Sequence, residues 1–327
     1  MIDQTALTTL LQHLLPHIQS HNTTTTKPFI LGLSGLQGSG KSTWAAALAD
    51  ALTYQHGINT RTLSLDDLYM DHAELLALRE AHPDNKLLHK RGQPGTHDEE
   101  LARRFFDDIM APSTPHNENT TDVIRWPAFD KSLHNGEGGR APTKDWTVVP
   151  REPPLDLVIF EGWCLGFRPL EPGVVEQRWR HAVDNRPGRE ASGDGTSTQT
   201  LANHKLEDLL LINDNLARYC DTFMGPWRFD AFVHLSTENL RNVYSWRLDQ
   251  ERALRISKGE ESGMTDDKVI EFVQGYMPAY ELYLDGLTQK SLFASHESSG
   301  SLLERGGKLH LRVVLDARRT VCSIEKM

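Results

Sequence analysis

Nine consecutive residues carry the strongest chemical signal. Gly35-Leu36-Gln37-Gly38-Ser39-Gly40-Lys41-Ser42-Thr43 fits G-x-x-x-x-G-K-[ST] without a mismatch. These residue types in this order suit a polyphosphate. Glycines let the backbone wrap closely around phosphate oxygens. The N–H groups of residues 38–43 then point inward as an anion nest. A helix starting near Lys41 adds the positive end of its dipole. Gly35, Gln37, Gly38, Ser39, Gly40, Lys41, Ser42 and Thr43 are therefore the candidate nucleotide contacts. Lys41 is expected to reach the β- and γ-phosphates, and the Ser42 hydroxyl to sit on Mg²⁺. A Gly-rich turn that binds nothing also fits the bare pattern. Its surroundings favour phosphate, because an apolar run precedes it and a helical pattern follows.

Two acids complete the chemistry. Phosphoryl transfer needs one carboxylate to accept the proton of the attacking hydroxyl and one on the metal side. Ligands of open α/β sheets bind beyond the carboxyl ends of the strands. Asp66 follows the strand-like run Thr60–Leu65, and Glu161 follows Leu155–Phe160. Asp66 is the expected general base and Glu161 the metal-side residue. Asp67 reads as a cap for the helix entering Leu68.

The elements that must position these residues are legible as alternating strands and helices. Strand signals fall at Phe29–Ser34, Thr60–Leu65, Leu155–Phe160, Ala231–Leu235 and Leu309–Leu315. Helical patterns cover Ser42–Tyr54, Leu206–Thr222, Glu238–Lys258 and Thr265–Leu284. This alternation predicts an α/β fold with a mostly parallel sheet. Residues 4–19 read as an amphipathic helix disturbed at its end by Pro16, with a polar linker from His21 to Lys27. The expected organisation is thus residues 1–27 as helix and linker, then a single domain over 28–327. Within it, residues 185–204 read as a disordered insertion, and about 238–286 as a helical lid and C-terminal helices. Residues 111–121 also read as loose.

Composition excludes several classes. The 327 residues carry 35 Lys+Arg against 45 Asp+Glu, a net charge of −10, which disfavours nucleic acid as the main partner. The longest apolar run, Trp44–Ala49, is far too short to span a bilayer. Three cysteines without metal-ligand spacing fit a reducing compartment. With no signal or transit pattern at the N-terminus, a cytoplasmic location is expected. Protein partners stay open.

Longer segments narrow the family. Ser64-Leu65-Asp66-Asp67-Leu68-Tyr69 resembles the S-x-D-x-[FL]-Y segment of uridine kinases, a P-loop group that includes phosphoribulokinase and pantothenate kinase. Further segments resemble the plant-type D-glycerate 3-kinase family and its fungal relatives. These are RGQPGTHD (91–98), PAFDKS (127–132), NGEGGR (135–140), FEGWCLGF (160–167), NDNL (213–216), YSWRL (244–248) and GMTD (263–266). The resemblance runs from the phosphate loop to the last strand. It implies a three-layer α/β/α P-loop fold, ATP and Mg²⁺, and phosphorylation of the primary hydroxyl of D-glycerate to 3-phosphoglycerate. It also implies that the acid at Asp66 is the catalytic base.

An anionic acceptor needs cations, and Arg suits a carboxylate through its bidentate geometry. Arg91, Lys131 and Arg140 are the candidates. Spacing alone leaves Arg91 and Arg140 balanced between site and solvated surface; the resemblance moves them toward the site. Tyr69 is read either as orienting substrate or as packing. His97 is read as a hydrogen-bond partner of a substrate hydroxyl or as a structural cap near Asp98-Glu99-Glu100, and Asp130 as a hydroxyl ligand or an ion-pair partner. Arg247 is expected to close on the phosphates from a lid, with Arg255 second. Two other readings stay open at this point. One keeps the kinase but changes the acceptor to a nucleoside, pantothenate or another sugar acid. The other is an ATP-dependent adaptor.

Overall fold

The computed structural model describes residues 2–112, 122–186, 195–258, 263–294 and 307–327. Helix α1 (Gln4–Thr24) begins on Asp3, whose side chain caps the amides of Thr5 and Ala6. It is followed by β1 (Phe29–Gly35), α2 (Lys41–His56), β2 (Thr60–Ser64), α3 (His72–Ala81) and α4 (Glu99–Met110). Short strands β3 (Val123–Trp126), β4 (Phe129–Asp130), β5 (Gly139–Arg140) and β6 (Thr147–Pro150) come next. Then follow β7 (Leu157–Gly162), α5 (Pro172–Asp184), α6 (Leu206–Tyr219) and β8 (Ala231–Ser236). The chain ends with α7 (Asn242–Lys258), α8 (Asp266–Gln274), α9 (Met277–Gln289), β9 (Leu309–Leu315) and β10 (Val321–Lys326).

Six strands form the central sheet in the order β10-β9-β8-β1-β7-β2. All neighbours are parallel except β10, which returns antiparallel beside β9. Every residue of β1, β7 and β8 is buried, so apolar cover lies on both faces of these strands. Gly32 shows how tight that cover is: an added Cβ would lie 2.5 Å from the Phe232 ring.

Register fixes the site. Ser34 pairs with Gly162, and Ser64 with Glu161. The carboxyl ends of β1, β7 and β2 therefore lie level, and the loops leaving them share one edge. Two small antiparallel pairs, β3-β6 and β4-β5, stand outside the main sheet. The second carries the loop that covers this edge.

Several expectations need correcting. Helix α1 does not stop near residue 19 but runs through Pro16 to Thr24, taking in much of the expected linker. An interior proline costs roughly 3 kcal/mol. Six buried apolar residues, Leu10, Leu14 and Ile18 among them, offset it, and they join the same core as β1 and α2. Residues 265–284 are not one helix, because the chain breaks at Gly275-Tyr276 between α8 and α9. Within the expected disordered insertion, residues 195–204 are packed. Leu201 is buried, and the Thr200 amide and hydroxyl both donate to Glu281. Residues 187–194, most of the loose stretch 111–121 and residues 259–262 of the lid turn lie outside the described residues. Among the described residues, no helix is long and apolar enough to cross a membrane.

Candidate active site

The nucleotide end grows out of β1. Its last residue, Gly35, leads into a turn in which the Ser39 amide donates to the Leu36 carbonyl at 3.1 Å. Gly38 and Gly40 adopt φ of +77° and +88°. At Gly38 space is also closed, since a Cβ would lie 2.8 Å from Trp246 Cβ and 2.9 Å from the Arg247 amide. Helix α7 thus packs directly on the loop. Gly40 is the N-cap of α2 and offers no side-chain acceptor. The first amides of α2 are left for a ligand, which suits an anion.

Ser42 and Glu161 meet beneath this loop. Ser42 Oγ donates to Glu161 Oε1 at 2.9 Å. Glu161 is 5% exposed, and its Oε2 is buried without a hydrogen-bond partner. A buried lone carboxylate oxygen beside a hydroxyl fits a hard divalent cation. Among the described residues no cluster of three acids, histidines or cysteines could hold a metal by itself.

Asp66, the expected general base, sits on a one-turn 3₁₀ helix, Leu65–Leu68, after β2. A capping box holds this turn. Ser64 Oγ accepts from the Asp66 amide, and Asp67 Oδ2 accepts from the Ser64 amide, each at 3.3 Å. Asp67 therefore serves local structure, as expected. Its other oxygen accepts from the Phe129 amide and ties the turn to β4. Burial raises Asp67 to about 6, helped by the neighbouring Asp66 charge. Asp66 goes the other way. Burial pushes it up, but Lys131 and Lys41 outweigh that and hold it at about 2. Its Oδ2 receives Lys131 Nζ at 2.5 Å.

One cavity of about 860 Å³ joins the two ends. It is lined at one end by Gln37, Gly38, Gly40, Lys41, Ser42 and Thr43, with Glu161. Asp66, Tyr69, Arg91 and Lys131 line the other end, and Arg247 looks in from α7. Tyr69 is nearly buried, stacked on His97 with ring centroids 4.3 Å apart. Arg247 pairs with the buried Glu251, lies over the Phe272 ring at 5.1 Å, and keeps its Nε without a partner. Arg91 donates to the carbonyls of Gly136 and Glu137.

Other expected residues do not reach this cavity. Arg140 is turned into an ion pair with Asp98 at 2.6 Å and also donates to the Tyr69 carbonyl. Asp98 is the N-cap of α4, so the arginine neutralises a helix cap. Asp130 is exposed and accepts from the amide and hydroxyl of Ser132. His97 is fully buried behind Tyr69, where Tyr219 Oη meets both its amide and its Nδ1. Burial pushes His97 down to about 3, so it stays neutral. Gly35 and Ser39 are buried and do not line the cavity. Arg252 and Arg255 both bind Asp266 at the start of α8 and leave Arg247 alone on the cavity side.

The cavity also shows residues the sequence reading missed: His72, Arg79, Glu137, Tyr276 and Arg319. A signal existed for the first two. Asp71 and Glu74 form a capping box that opens α3. A D-x-x-E pattern before Leu75 and Leu76 marks such a start. His72 and Arg79, seven apart, then fall on one face.

Known proteins sharpen this picture. No protein-family model matches the chain. The uncharacterized kinase mug58 of Schizosaccharomyces pombe is 36% identical over 81% of this chain and 84% of its own length. The chloroplastic D-glycerate 3-kinase of Arabidopsis thaliana is 34% identical over 80% of this chain, which spans 48% of that protein. A solved D-glycerate 3-kinase from Cryptococcus neoformans superposes with a TM-score of 0.76 at 30% identity, covering 98% of this chain and 99% of that one. The chain belongs to the D-glycerate 3-kinase family with its fungal relatives. It is an ATP-dependent kinase of P-loop architecture. In this kinase the phosphate loop and both strand-end acids open into the same cavity.

Proposed function

We propose that this kinase transfers the γ-phosphoryl group of ATP to the primary hydroxyl of D-glycerate, giving 3-phosphoglycerate and ADP. The observation that carries the reading is the convergence of Lys41, Asp66 and several cations on one cavity. That set suits an anionic acceptor facing a triphosphate.

The chain's own residues divide the work. The amides of the loop and of α2 hold the phosphates, and Lys41 neutralises the β- and γ-oxygens. Ser42 and Glu161 would hold Mg²⁺, which offsets phosphate charge when bound. Asp66 orients the acceptor hydroxyl. As the new O–P bond forms and the bond to the ADP oxygen breaks, the hydroxyl proton passes to Asp66. An acid held near 2 is a weak base before substrates arrive. Phosphates drawing Lys41 and a carboxylate drawing Lys131 would loosen both restraints and raise its basicity. In a loose transition state the proton moves late, so orientation and charge dominate. Arg247 meets the charge on the transferring group, and α7, already packed on the loop, excludes water from it.

The test is ADP release with ATP·Mg²⁺ and D-glycerate, beside L-glycerate, uridine, pantothenate and no acceptor, with product position read by phosphorus NMR. D-glycerate-dependent ADP and a 3-phospho product are expected. ADP release stimulated by another acceptor alone would remove the glycerate assignment and leave the kinase.

A further inference from the structure

Arg140, one of the three candidate cations for an anionic acceptor, is occupied by Asp98, yet the cavity holds a carboxylate already. Glu137 lies on the loop between β4 and β5, and both its oxygens are bound. Oε1 accepts from both terminal nitrogens of Arg79, at 3.3 and 3.2 Å. Oε2 meets His72 Nε2 at 2.9 Å. Arg79 keeps a buried Nε without a partner, so it has a donor left for a second acceptor. His72 is held in place by the parallel His134 ring, 3.8 Å away. His72, Arg79 and Glu137 all line the cavity that contains Asp66.

The same loop satisfies the other charges at this end. Lys131 binds Asp66, and the carbonyls of Gly136 and Glu137 take Arg91. Positive φ at His134, Asn135, Gly136 and Gly138 folds it into the compact shape that brings these groups back to the cavity. Arg79 and Arg91 are thus engaged by groups of the covering loop, and the loop's own Lys131 is engaged by Asp66. An arginine and a histidine on one helix face, holding a carboxylate on a separate loop, form a ready receptor for another carboxylate.

We propose that Arg79 and His72 form the subsite for the acceptor's carboxylate, and that Glu137 occupies it as an internal surrogate until substrate displaces it. This rests on the reading of the acceptor as a small hydroxy acid. Displacing the surrogate frees the loop, so Arg91 and Lys131 become available together with Arg79. Glu137 then sets selectivity, because a neutral acceptor gains nothing by competing with it.

Steady-state kinetics with D-glycerate and glycerol on the full chain test this, using Arg79→Gln and Glu137→Gln. Arg79→Gln should raise the KM for D-glycerate about tenfold or more and collapse the preference for glycerate over glycerol, with the effect absent from the KM for ATP. Glu137→Gln should move the other way, lowering the KM for D-glycerate severalfold. A purely structural pair would shift both variants in the same direction, and that result would overturn the surrogate. Unchanged preference in Arg79→Gln would overturn the subsite while leaving glycerate phosphorylation intact. If wild-type protein phosphorylates no hydroxy acid at all, the functional reading fails and this proposal with it. Should Arg79→Gln not fold, Glu137→Gln alone decides by the sign of its KM change.

Discussion

The two ends of the cavity are built by different means. The nucleotide end stands on β1, β7 and α2, elements buried in the core and aligned by a parallel register. The groups it offers a ligand are mainly backbone amides of one short segment. The acceptor end is assembled from a 3₁₀ turn, helix α3 and the loop 131–138 between the short strands β4 and β5. Its contacts are side chains, and they already bind one another. A rigid end can hold a triphosphate in one place, whereas a side-chain end can exchange internal partners for a substrate.

The sharpest way to break the comparison is at Asp66, where the two ends meet. Asp66→Asn should lower kcat by about 10³-fold, the scale of a lost general base. Titration with a fluorescent ATP analogue should show nucleotide affinity nearly retained. A parallel loss of affinity would mean that Asp66 belongs to the nucleotide end instead. Next in size is Gly38→Ala. It demands a positive φ from a side chain and drives a Cβ into α7. Nucleotide affinity should fall tens-fold, at a cost of about 2 kcal/mol in backbone strain and displaced packing. The KM for acceptor should move much less.

Asp66 and Asp67 sharpen the contrast within one turn. Asp66, depressed to about 2, favours folding above the ordinary carboxylate range, and that contribution fades as pH falls through 2. Asp67, raised to about 6, has the opposite sign. Its contribution is fully present below its unfolded pKa near 3.8 and is lost as pH rises through about 6. Asp67→Asn removes that loss and also weakens one amide contact. Compared with wild type in urea unfolding, the variant should gain about 2 kcal/mol between pH 4.5 and pH 7.5. A difference that stays flat with pH would show that Asp67 is ionised throughout.

The same contrast explains what could be read from sequence. The phosphate loop was legible because contiguous residues and a backbone conformation define it. Asp66 and Glu161 were legible because strand ends in parallel sheets place side chains at one edge. Glu161 proved to be the penultimate residue of β7, one position inside the strand and not beyond it. The acceptor end was only half legible. Residue type marks Arg91 and Arg140 equally, and only packing reveals that Arg140 serves a helix cap while Arg91 faces the cavity. His97 illustrates the same limit: a polar residue near acids reads as a ligand until Tyr69 is seen to cover it. Arg79 escapes a reading by apolar periodicity because α3 is short and buries only Leu75, although a capping box marks its start.

Arg140 gives the smallest predicted effect and the most direct separation of the two interpretations. As a carboxylate clamp it should control acceptor KM. As a partner of Asp98 it should control stability. The pair is about one-fifth exposed on both sides, so it is neither a solvated surface bridge nor a fully dry one. Losing one member leaves Asp98 still capping α4 through the Leu101 amide, which limits the damage. Arg140→Met keeps the aliphatic stem and removes the charge. It should cost about 1–2 kcal/mol in unfolding free energy. The KM for D-glycerate should change less than about threefold, far below the tenfold scale of a lost charge-assisted bond to substrate. A large rise in KM with stability unchanged would return Arg140 to the site, because it would require the Asp98 pair to open when acceptor binds.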